Sequence, residues 1–278
     1  MNGILIVNKP INVTSRDVVN HLNVVFHTKR IGHTGTLDPI ATGVLVVAIG
    51  NYTKLVNTLT SLDKEYIAEI KLGIKTDTGD ITGKIIDEDY NYSLTSEEIL
   101  IVFNEFPKTY EQTVPKYSAV KIEGKKLYEY ARENIDIDLP KRTVNIYSLD
   151  LLEFNSGTIK FKTKVSKGTY IRSLIENLCE ELNILGTMNS LVRTKQGKFS
   201  IKDAIDLNEI NFNTKLLDTS DVLDVKKLQV SKEEKKLVVN GNKLNKEIPD
   251  GYYDVYLKDT KLALYEFKHN EGRIIMFY

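Results

Sequence analysis

Residues 32–39 of this chain read Gly-His-Thr-Gly-Thr-Leu-Asp-Pro, and a short apolar run follows at Val44–Ile49. Pro39 disfavours helical backbone at Asp38, so the Asp-Pro step predicts a turn. The apolar run predicts a buried strand, and Gly35 lets the backbone bend before it. We therefore expect the Asp38 carboxylate to lie in a loop between two ordered elements, where proteins commonly present reactive groups. A purely structural aspartate turn is the alternative.

Further short motifs follow one another along the chain. They are Lys9-Pro10, Thr14-Ser15, Ala41–Leu45, Lys64-Glu65-Tyr66, Leu72-Gly73, Thr76–Asp80, Tyr117–Lys121 and Ser166–Arg172. Together with residues 32–39, this ordered set resembles the bacterial tRNA pseudouridine synthase B family over roughly residues 3–206. The order of the motifs is more specific than any one of them.

The resemblance implies an α+β fold with a mixed, largely antiparallel central sheet and flanking helices. It also implies a catalytic domain over residues 1–222 and a small, β-rich, PUA-like RNA-binding domain over residues 225–278. The residues themselves favour a boundary here, because composition changes near 218–224 and turn signals follow. Three short strands are predicted after it, at Tyr252–Lys258, Lys261–Phe267 and Arg273–Tyr278.

Hydrophobic periodicity predicts the elements that hold the motifs. Gly3–Val7 is an apolar run typical of a strand. In residues 159–165, three apolar side chains and Thr163 alternate with three lysines. A helix is predicted directly after the turn at Ser166–Gly168, so that Arg172 lies in its first turn. Gly124–Glu133 is also predicted to be helical.

Pseudouridine formation, the activity that the resemblance implies, breaks the C1′–N1 bond of uridine and rejoins the base through C5. The reaction needs no redox change and no group donor, so we expect no cofactor. An ionised carboxylate can act in it as a nucleophile or as a base. By resemblance Asp38 is the catalytic aspartate. The residues leave open whether it attacks C1′ or abstracts a ribose proton.

Two more residues match catalytic positions of the family. Arg172 matches the arginine that pairs with the aspartate, and an opposite charge keeps a desolvated carboxylate ionised. An ordinary surface arginine is the alternative. Tyr66 matches the tyrosine that stacks on the flipped uracil and assists proton transfer. Because Tyr66 shares a predicted strand face with Ala68 and Ile70, packing in the core is the alternative for this residue.

The resemblance also implies residues that contact RNA or line the site. In the family, the histidine matching His33 intrudes where the base has flipped out, and the tyrosine matching Tyr170 lies beside the pocket. For Lys9, contact with a phosphate and support of the Asp38 loop are both open. Lys54 matches a lysine that lies near the RNA backbone in the family, and Tyr117 and Lys121 lie in a segment that the family uses near the active site. The substrate-binding set is His33, Lys9, Lys54, Tyr170, Tyr117 and Lys121. Solvation of Lys54 and packing of the Tyr117 segment are the alternatives.

One position departs from the family's motif. Asn12 stands where the family has glycine. Asparagine is the non-glycine residue that best tolerates a positive φ. We therefore expect the turn after Lys9 to keep its conformation.

The charge distribution allows an RNA surface although the net charge is zero. Basic residues exceed acidic ones by five to two in residues 1–54 and by eight to three in residues 158–198. Residues 55–105 carry four basic residues against eleven acidic ones. Because the basic segments hold the Asp38 and Arg172 motifs, a basic groove is compatible with the neutral total.

Composition narrows the class of protein. Of the 278 residues 41% are hydrophobic, enough for a core, yet no apolar run is long enough to cross a bilayer. The N-terminus lacks the features of a signal peptide, and the single Cys179 supports no internal disulfide. The four histidines show no paired ligand spacing. We expect a cytoplasmic protein without metal. The resemblance further implies a monomer that acts on the T arm of tRNA without an obligate protein partner.

Two other functions remain open from the sequence. Archaeal and eukaryotic relatives of the family modify rRNA under guide RNAs, although with partner proteins and longer tails. An RNA chaperone without catalysis is the other, and the presence of Asp38, Tyr66 and Arg172 speaks against it. The favoured function is isomerisation of the tRNA uridine conventionally numbered 55.

Overall fold

The computed structural model describes residues 1–133, 135–155 and 157–278. These residues form two compact units. The first contains residues 1–38, 44–60 and 202–278, and the second contains residues 39–43 and 61–201. The chain therefore enters the second unit directly after Asp38.

The described residues form strands, several of them directly consecutive, and helices. The strands are β1 (Gly3–Lys9), β2 (Ile31–His33), β3 (Thr42–Ile49), β4 (Lys64–Leu72), β5 (Ile74–Thr76), β6 (Ile85–Glu88), β7 (Thr109–Thr113), β8 (Lys121–Ile122), β9 (Lys125–Lys126), β10 (Lys141–Asn155), β11 (Thr158–Val165), β12 (Gly186–Gln196), β13 (Phe199–Ser200), β14 (Ile205–Asp206), β15 (Val225–Gln229), β16 (Leu244–Asn245), β17 (Gly251–Leu257), β18 (Thr260–Lys268) and β19 (Glu271–Phe277). The α-helices are α1 (Ser15–Val25), α2 (Val56–Thr60), α3 (Ser96–Glu105), α4 (Leu127–Arg132), α5 (Ile171–Glu181), α6 (Thr219–Val222) and α7 (Lys232–Val239), and 3₁₀ helices lie at Gly50–Leu55, Ile201–Asp203 and Leu207–Glu209. Within the described ranges, no helix is both long enough and apolar enough to span a membrane.

The first unit is built around the buried strands β1 and β3. β1 lies between β3 and β14, and it runs parallel to β14. A capping box starts α1, because the Thr14 hydroxyl accepts from the Asp17 amide while the Asp17 carboxylate accepts from the Thr14 amide. Val18 and Leu22, one helical turn apart, are fully buried. This face fixes α1 against the core.

The second unit holds strands in the order β12–β4–β11–β10–β7, all paired antiparallel. Buried and half-buried residues alternate strictly along β4, as expected for a strand with one face in the core. Thr42 and Gly43, which open β3, pair in parallel with β12. The predicted α+β class with a mixed, largely antiparallel sheet is therefore confirmed.

The predictions for the second unit have different outcomes. The alternating strand and the helix after Ser166–Gly168 are confirmed by β11 and α5. The helix predicted from residue 124 begins only at residue 127, because β8 and β9 form a hairpin before it. Glu123 and Gly124 have φ of +51° and +86° in its turn. Positive φ at two successive residues suits a hairpin turn and excludes a helix.

The C-terminal sheet has the order β15–β17–β18–β19–β16. Three of its strands are those predicted from the sequence, and its architecture fits the PUA-like class. Its core consists of Val230, Val238, Leu244, Tyr253, Val255, Ala263, Tyr265 and Phe267. These apolar side chains give the segment a core of its own.

A buried polar cluster surrounds the last residue of the chain. The Tyr278 hydroxyl donates to the Asp254 carboxylate and lies 2.7 Å from the Thr219 hydroxyl. The Lys261 ammonium lies 2.9 Å from Asp254 and 4.0 Å from the centroid of the Tyr278 ring. Asp254 is only 4% exposed, so these partners compensate the cost of burying its charge.

We expect Tyr278→Phe to lower the free energy of unfolding by about 1–2 kcal/mol, because buried Asp254 loses a donor. Burial, followed by the bond to Asp254, raises the pKa of Tyr278 above its ordinary value of 10.0. The folded state thus holds this proton more tightly than the unfolded state does. The contribution of the Tyr278 hydroxyl to the free energy of unfolding is therefore complete below pH 10 and declines above it. Urea denaturation at pH 8 and above pH 10 measures the difference. The control Tyr252→Phe removes a hydroxyl outside the cluster, and equal stability of both variants at pH 8 would contradict the prediction.

Candidate active site

The backbone before Asp38 is fixed by contacts within the first unit. The Thr34 amide donates to the Val46 carbonyl of β3 at 3.0 Å. The Ser15 hydroxyl accepts from the Leu37 amide at 2.9 Å and lies 3.2 Å from the Leu37 carbonyl. Leu37 is buried, and Asp38 follows it half-buried. The loop therefore presents Asp38 from an ordered backbone, as predicted.

Lys9 lies inside the first unit, with a side chain that is fully buried. Its ammonium donates to the carbonyls of Pro10 at 2.8 Å and Val13 at 2.5 Å. Asn12, within the loop so held, has a φ of +62°, which confirms the expectation for this position. The observed bonds brace the loop of residues 10–13. Contact of Lys9 with a phosphate stays a prediction.

In the second unit, Tyr66 of β4 lies beside a buried arginine. The Nε of Arg193 is 3.3 Å from the Tyr66 hydroxyl, and its guanidinium carbon is 5.6 Å from the ring centroid. Arg193 is 2% exposed and Tyr66 is 6% exposed. A guanidinium over an aromatic ring is held by the ring's quadrupole, and the hydrogen bond fixes the hydroxyl. This contact orients both the ring and the oxygen of Tyr66.

Sequence reasoning missed Arg193. A signal existed, because Arg193 alternates with the half-buried Val192 and Thr194 of β12 and shares the buried face with Leu191. A charged residue on the apolar face of a strand needs a polar partner. That partner lies 127 residues earlier in the chain, where no local pattern points to it.

Lys64 lies on the same face of β4, one alternation before Tyr66. Burial, followed by repulsion from Arg193, lowers the pKa of Lys64 from 10.5 to about 8. Its ammonium donates to the Leu62 carbonyl at 2.6 Å. Lysine and arginine together make the surroundings of Tyr66 electropositive.

Arg172 lies in the first turn of α5 and is 7% exposed. One terminal nitrogen donates to the Thr78 carbonyl at 2.9 Å, and the other donates to the Tyr117 carbonyl at 2.9 Å. Two bonds in different directions fix the plane of the guanidinium. The structure thus brings Arg172 together with the Tyr117 segment.

The remaining predicted residues are divided between the units. His33 and Lys54 belong to the first unit, as do Asp38 and Lys9. Tyr117, Lys121 and Tyr170 belong to the second unit, as do Tyr66 and Arg172. The side chains of Lys54 and Lys121 are exposed, whereas those of His33, Tyr117 and Tyr170 are half-buried. The roles of all these residues stay predictions.

Residues 23–171 match the model of the TruB family pseudouridylate synthases (N-terminal domain). The matched segment contains Asp38 and Tyr66 and ends next to Arg172. This chain belongs to the TruB family. It is therefore a pseudouridylate synthase, an isomerase.

Curated members of the TruB family extend the match along the chain. A tRNA pseudouridine synthase B of Clostridium tetani is 44% identical over 211 residues, covering 76% of this chain and 73% of the relative. The tRNA pseudouridine synthase B of Caldicellulosiruptor saccharolyticus is 40% identical over 270 residues, covering 94% of this chain and 93% of the relative. The similarity to TruB proteins thus includes the C-terminal sheet.

Solved structures share the fold of this TruB member. A Cbf5–Nop10–Gar1 complex matches with a TM-score of 0.70 and 24% identity, over 99% of this chain and 85% of the other. An H/ACA RNP bound to a substrate RNA containing 2′-deoxyuridine matches with a TM-score of 0.68 and 23% identity, over 99% and 83%. At this identity the likeness concerns the fold, and it agrees with the pseudouridine synthase fold that the sequence predicts.

Proposed function

We propose that this protein is a stand-alone cytoplasmic enzyme that isomerises uridine 55 in the T loop of tRNA to pseudouridine. The observation that carries the proposal is the 40% identity to a tRNA pseudouridine synthase B over 94% of the chain. The motifs that carry the family's catalytic residues are present in this chain, at Asp38, Tyr66 and Arg172.

Asp38 is the proposed catalytic carboxylate. In the reaction the C1′–N1 bond breaks, the uracil turns, and a C1′–C5 bond forms, while C5 loses a proton and N1 gains one. Asp38 acts either by attacking C1′ or by abstracting a ribose proton, and each role requires the ionised form. The ordered backbone before Asp38 supports a fixed approach of the carboxylate to the ribose.

Arg172 and Tyr66 complete the proposed catalytic set. Arg172 keeps Asp38 ionised once the site is closed to water, because its positive charge offsets the cost of desolvation. Tyr66 stacks on the uracil after the nucleotide has flipped out of the T loop. The contact with Arg193 supports a further role of the Tyr66 hydroxyl in proton transfer, since it fixes the oxygen in place.

The remaining proposals concern binding of the T arm. Residues 1–222 form the catalytic domain, and residues 225–278 form a PUA-like domain that contributes affinity. The proposed contacts to RNA, or to the wall of the site, are His33, Lys9, Lys54, Tyr170, Tyr117 and Lys121. The excess of basic residues in segments 1–54 and 158–198 supports phosphate binding here.

Mapping of the product tests the function. An unmodified tRNA transcript is incubated with the protein, treated with carbodiimide, and reverse-transcribed. We expect a stop next to position 55 and none in a transcript with cytidine at that position. Modification of an rRNA fragment only, and only with a guide RNA, would overturn the tRNA assignment. Binding of the transcript without any modification would favour the chaperone.

Tyr66→Phe separates the two proposed roles of Tyr66. The ring remains, but the hydroxyl held by Arg193 is removed. We expect the single-turnover rate to fall by roughly 100-fold or more, the usual contribution of a positioned proton donor or acceptor. Affinity for tRNA should change little, because stacking is retained.

The matched control is Tyr147→Phe, which removes the hydroxyl of a tyrosine on β10 that is 49% exposed. A filter-binding assay and a rapid-quench assay at saturating enzyme separate binding from chemistry. Full turnover of Tyr66→Phe would eliminate the proton role and leave stacking alone.

A further inference from the structure

The side chain of Gln112 on β7 is bonded to the backbone of Tyr170. Its amide oxygen accepts from the Tyr170 N–H at 2.7 Å, and its amide nitrogen donates to the Tyr170 carbonyl at 3.1 Å. The two bonds reproduce, with a side chain, the pair of bonds that one strand residue makes to another. Gln112 is 1% exposed, so both bonds are sheltered from water.

The orientation of the Gln112 amide is itself fixed. Its nitrogen has a second hydrogen, which it donates to the Tyr110 hydroxyl at 2.7 Å. The primary amide thus uses both of its hydrogens and its oxygen on defined partners. An amide turned by 180° would lose both bonds to the Tyr170 backbone. The contact therefore depends on the orientation of the amide and not only on the volume of the side chain.

Tyr170 is the residue before α5, and Arg172 lies two positions later. The first turn of the helix has a further bond to the same strand, because the Ser173 hydroxyl donates to the Thr113 carbonyl at 2.9 Å. The guanidinium of Arg172 in turn donates to the Tyr117 carbonyl. Residues 112–117 therefore hold the start of α5 and the Arg172 head group together.

We infer that Gln112 is a positioning residue for catalysis, which sets the start of α5 and through it the place of the Arg172 guanidinium. The inference rests on the proposed role of Arg172 as the partner of Asp38. Gln112 acts through the backbone of Tyr170 and does not touch the substrate. A small displacement of a catalytic group reduces the rate far more than it reduces binding.

Two substitutions of similar size test this role. Gln112→Met keeps the volume and removes every hydrogen bond, whereas Gln112→Glu keeps the acceptor but turns an oxygen toward the Tyr170 carbonyl. We expect both to lower the single-turnover rate on tRNA by roughly 10- to 100-fold at saturating enzyme, with an unchanged Kd for tRNA. The control Ser173→Ala loses a bond between the same two elements and should stay within about threefold of wild type, because the Tyr170 backbone keeps its partner.

The outcomes decide between positioning and general support of the fold. Wild-type rates in both Gln112 variants, or an equal loss in Ser173→Ala, would overturn the inference. A rate near wild type in Gln112→Met, together with a low rate in Gln112→Glu, would also overturn it. A side chain of the same volume without hydrogen bonds would then be enough for catalysis. Arg172→Lys, measured alongside, separates this failure from failure of the proposed function. A low rate in Arg172→Lys together with wild-type rates in the Gln112 variants would overturn only the inference about Gln112. A wild-type rate in Arg172→Lys would remove the premise on which the inference rests.

Discussion

Asp38→Asn is expected to abolish isomerisation while the protein stays folded and binds tRNA. The substitution is nearly isosteric, and Ser15, Leu37 and the backbone of β3 make contacts that hold the loop. The negative charge is lost, and both proposed mechanisms require it. We expect the single-turnover rate to fall by at least about 10⁴-fold, the size of loss seen when a nucleophile or its base is removed.

The measurement follows pseudouridine formation at saturating enzyme, together with filter binding and a thermal melt. A matched control is Asp206→Asn, in the first unit, whose carboxylate accepts from the Asn8 side chain at 2.7 Å. It removes a carboxylate outside the proposed site and should leave the rate unchanged. Conversion by Asp38→Asn within a factor of ten of wild type would refute the catalytic role of Asp38.

Arg172→Lys has the second largest expected effect. The guanidinium donates from two nitrogens to the carbonyls of Thr78 and Tyr117, and a lysine ammonium cannot reproduce this planar geometry. If Arg172 is the partner of Asp38, as proposed, a shifted cation would no longer keep Asp38 ionised or placed, so we expect a loss of roughly 100-fold or more in rate. The carbonyl left without its donor costs about 1–3 kcal/mol of unfolding free energy.

Rate and stability must be measured separately for this variant. Urea denaturation gives the stability, and a single-turnover assay well below the melting temperature gives the rate of the folded protein. The control is Arg142→Lys, an exposed arginine on β10, which should be neutral in both. A rate near wild type in Arg172→Lys would mean that Arg172 is not the partner of Asp38.

Local chemistry explains why much of the fold was predictable. The alternation of residues 159–165 and the helical spacing after Ser166–Gly168 each concern neighbours in the chain, and β11 and α5 confirm both. Asn12 was predictable for the same reason, because its tolerance of positive φ is a property of the residue itself. The hairpin at Glu123 and Gly124 was not, since apolar spacing further along the segment favoured a helix.

By itself the sequence determined the α+β class, the family, the predicted catalytic set and the C-terminal strands, because motifs and periodicity are properties of consecutive residues. Only the tertiary structure decided which side chains contact the predicted site residues. Arg193 meets Tyr66 across 127 positions of the chain, and Gln112 meets Tyr170 across 58. A buried arginine or glutamine needs polar partners, and two of the partners found here, Tyr66 and Tyr170, lie far away in the sequence. The register that creates such a pair is not visible in any short stretch of residues.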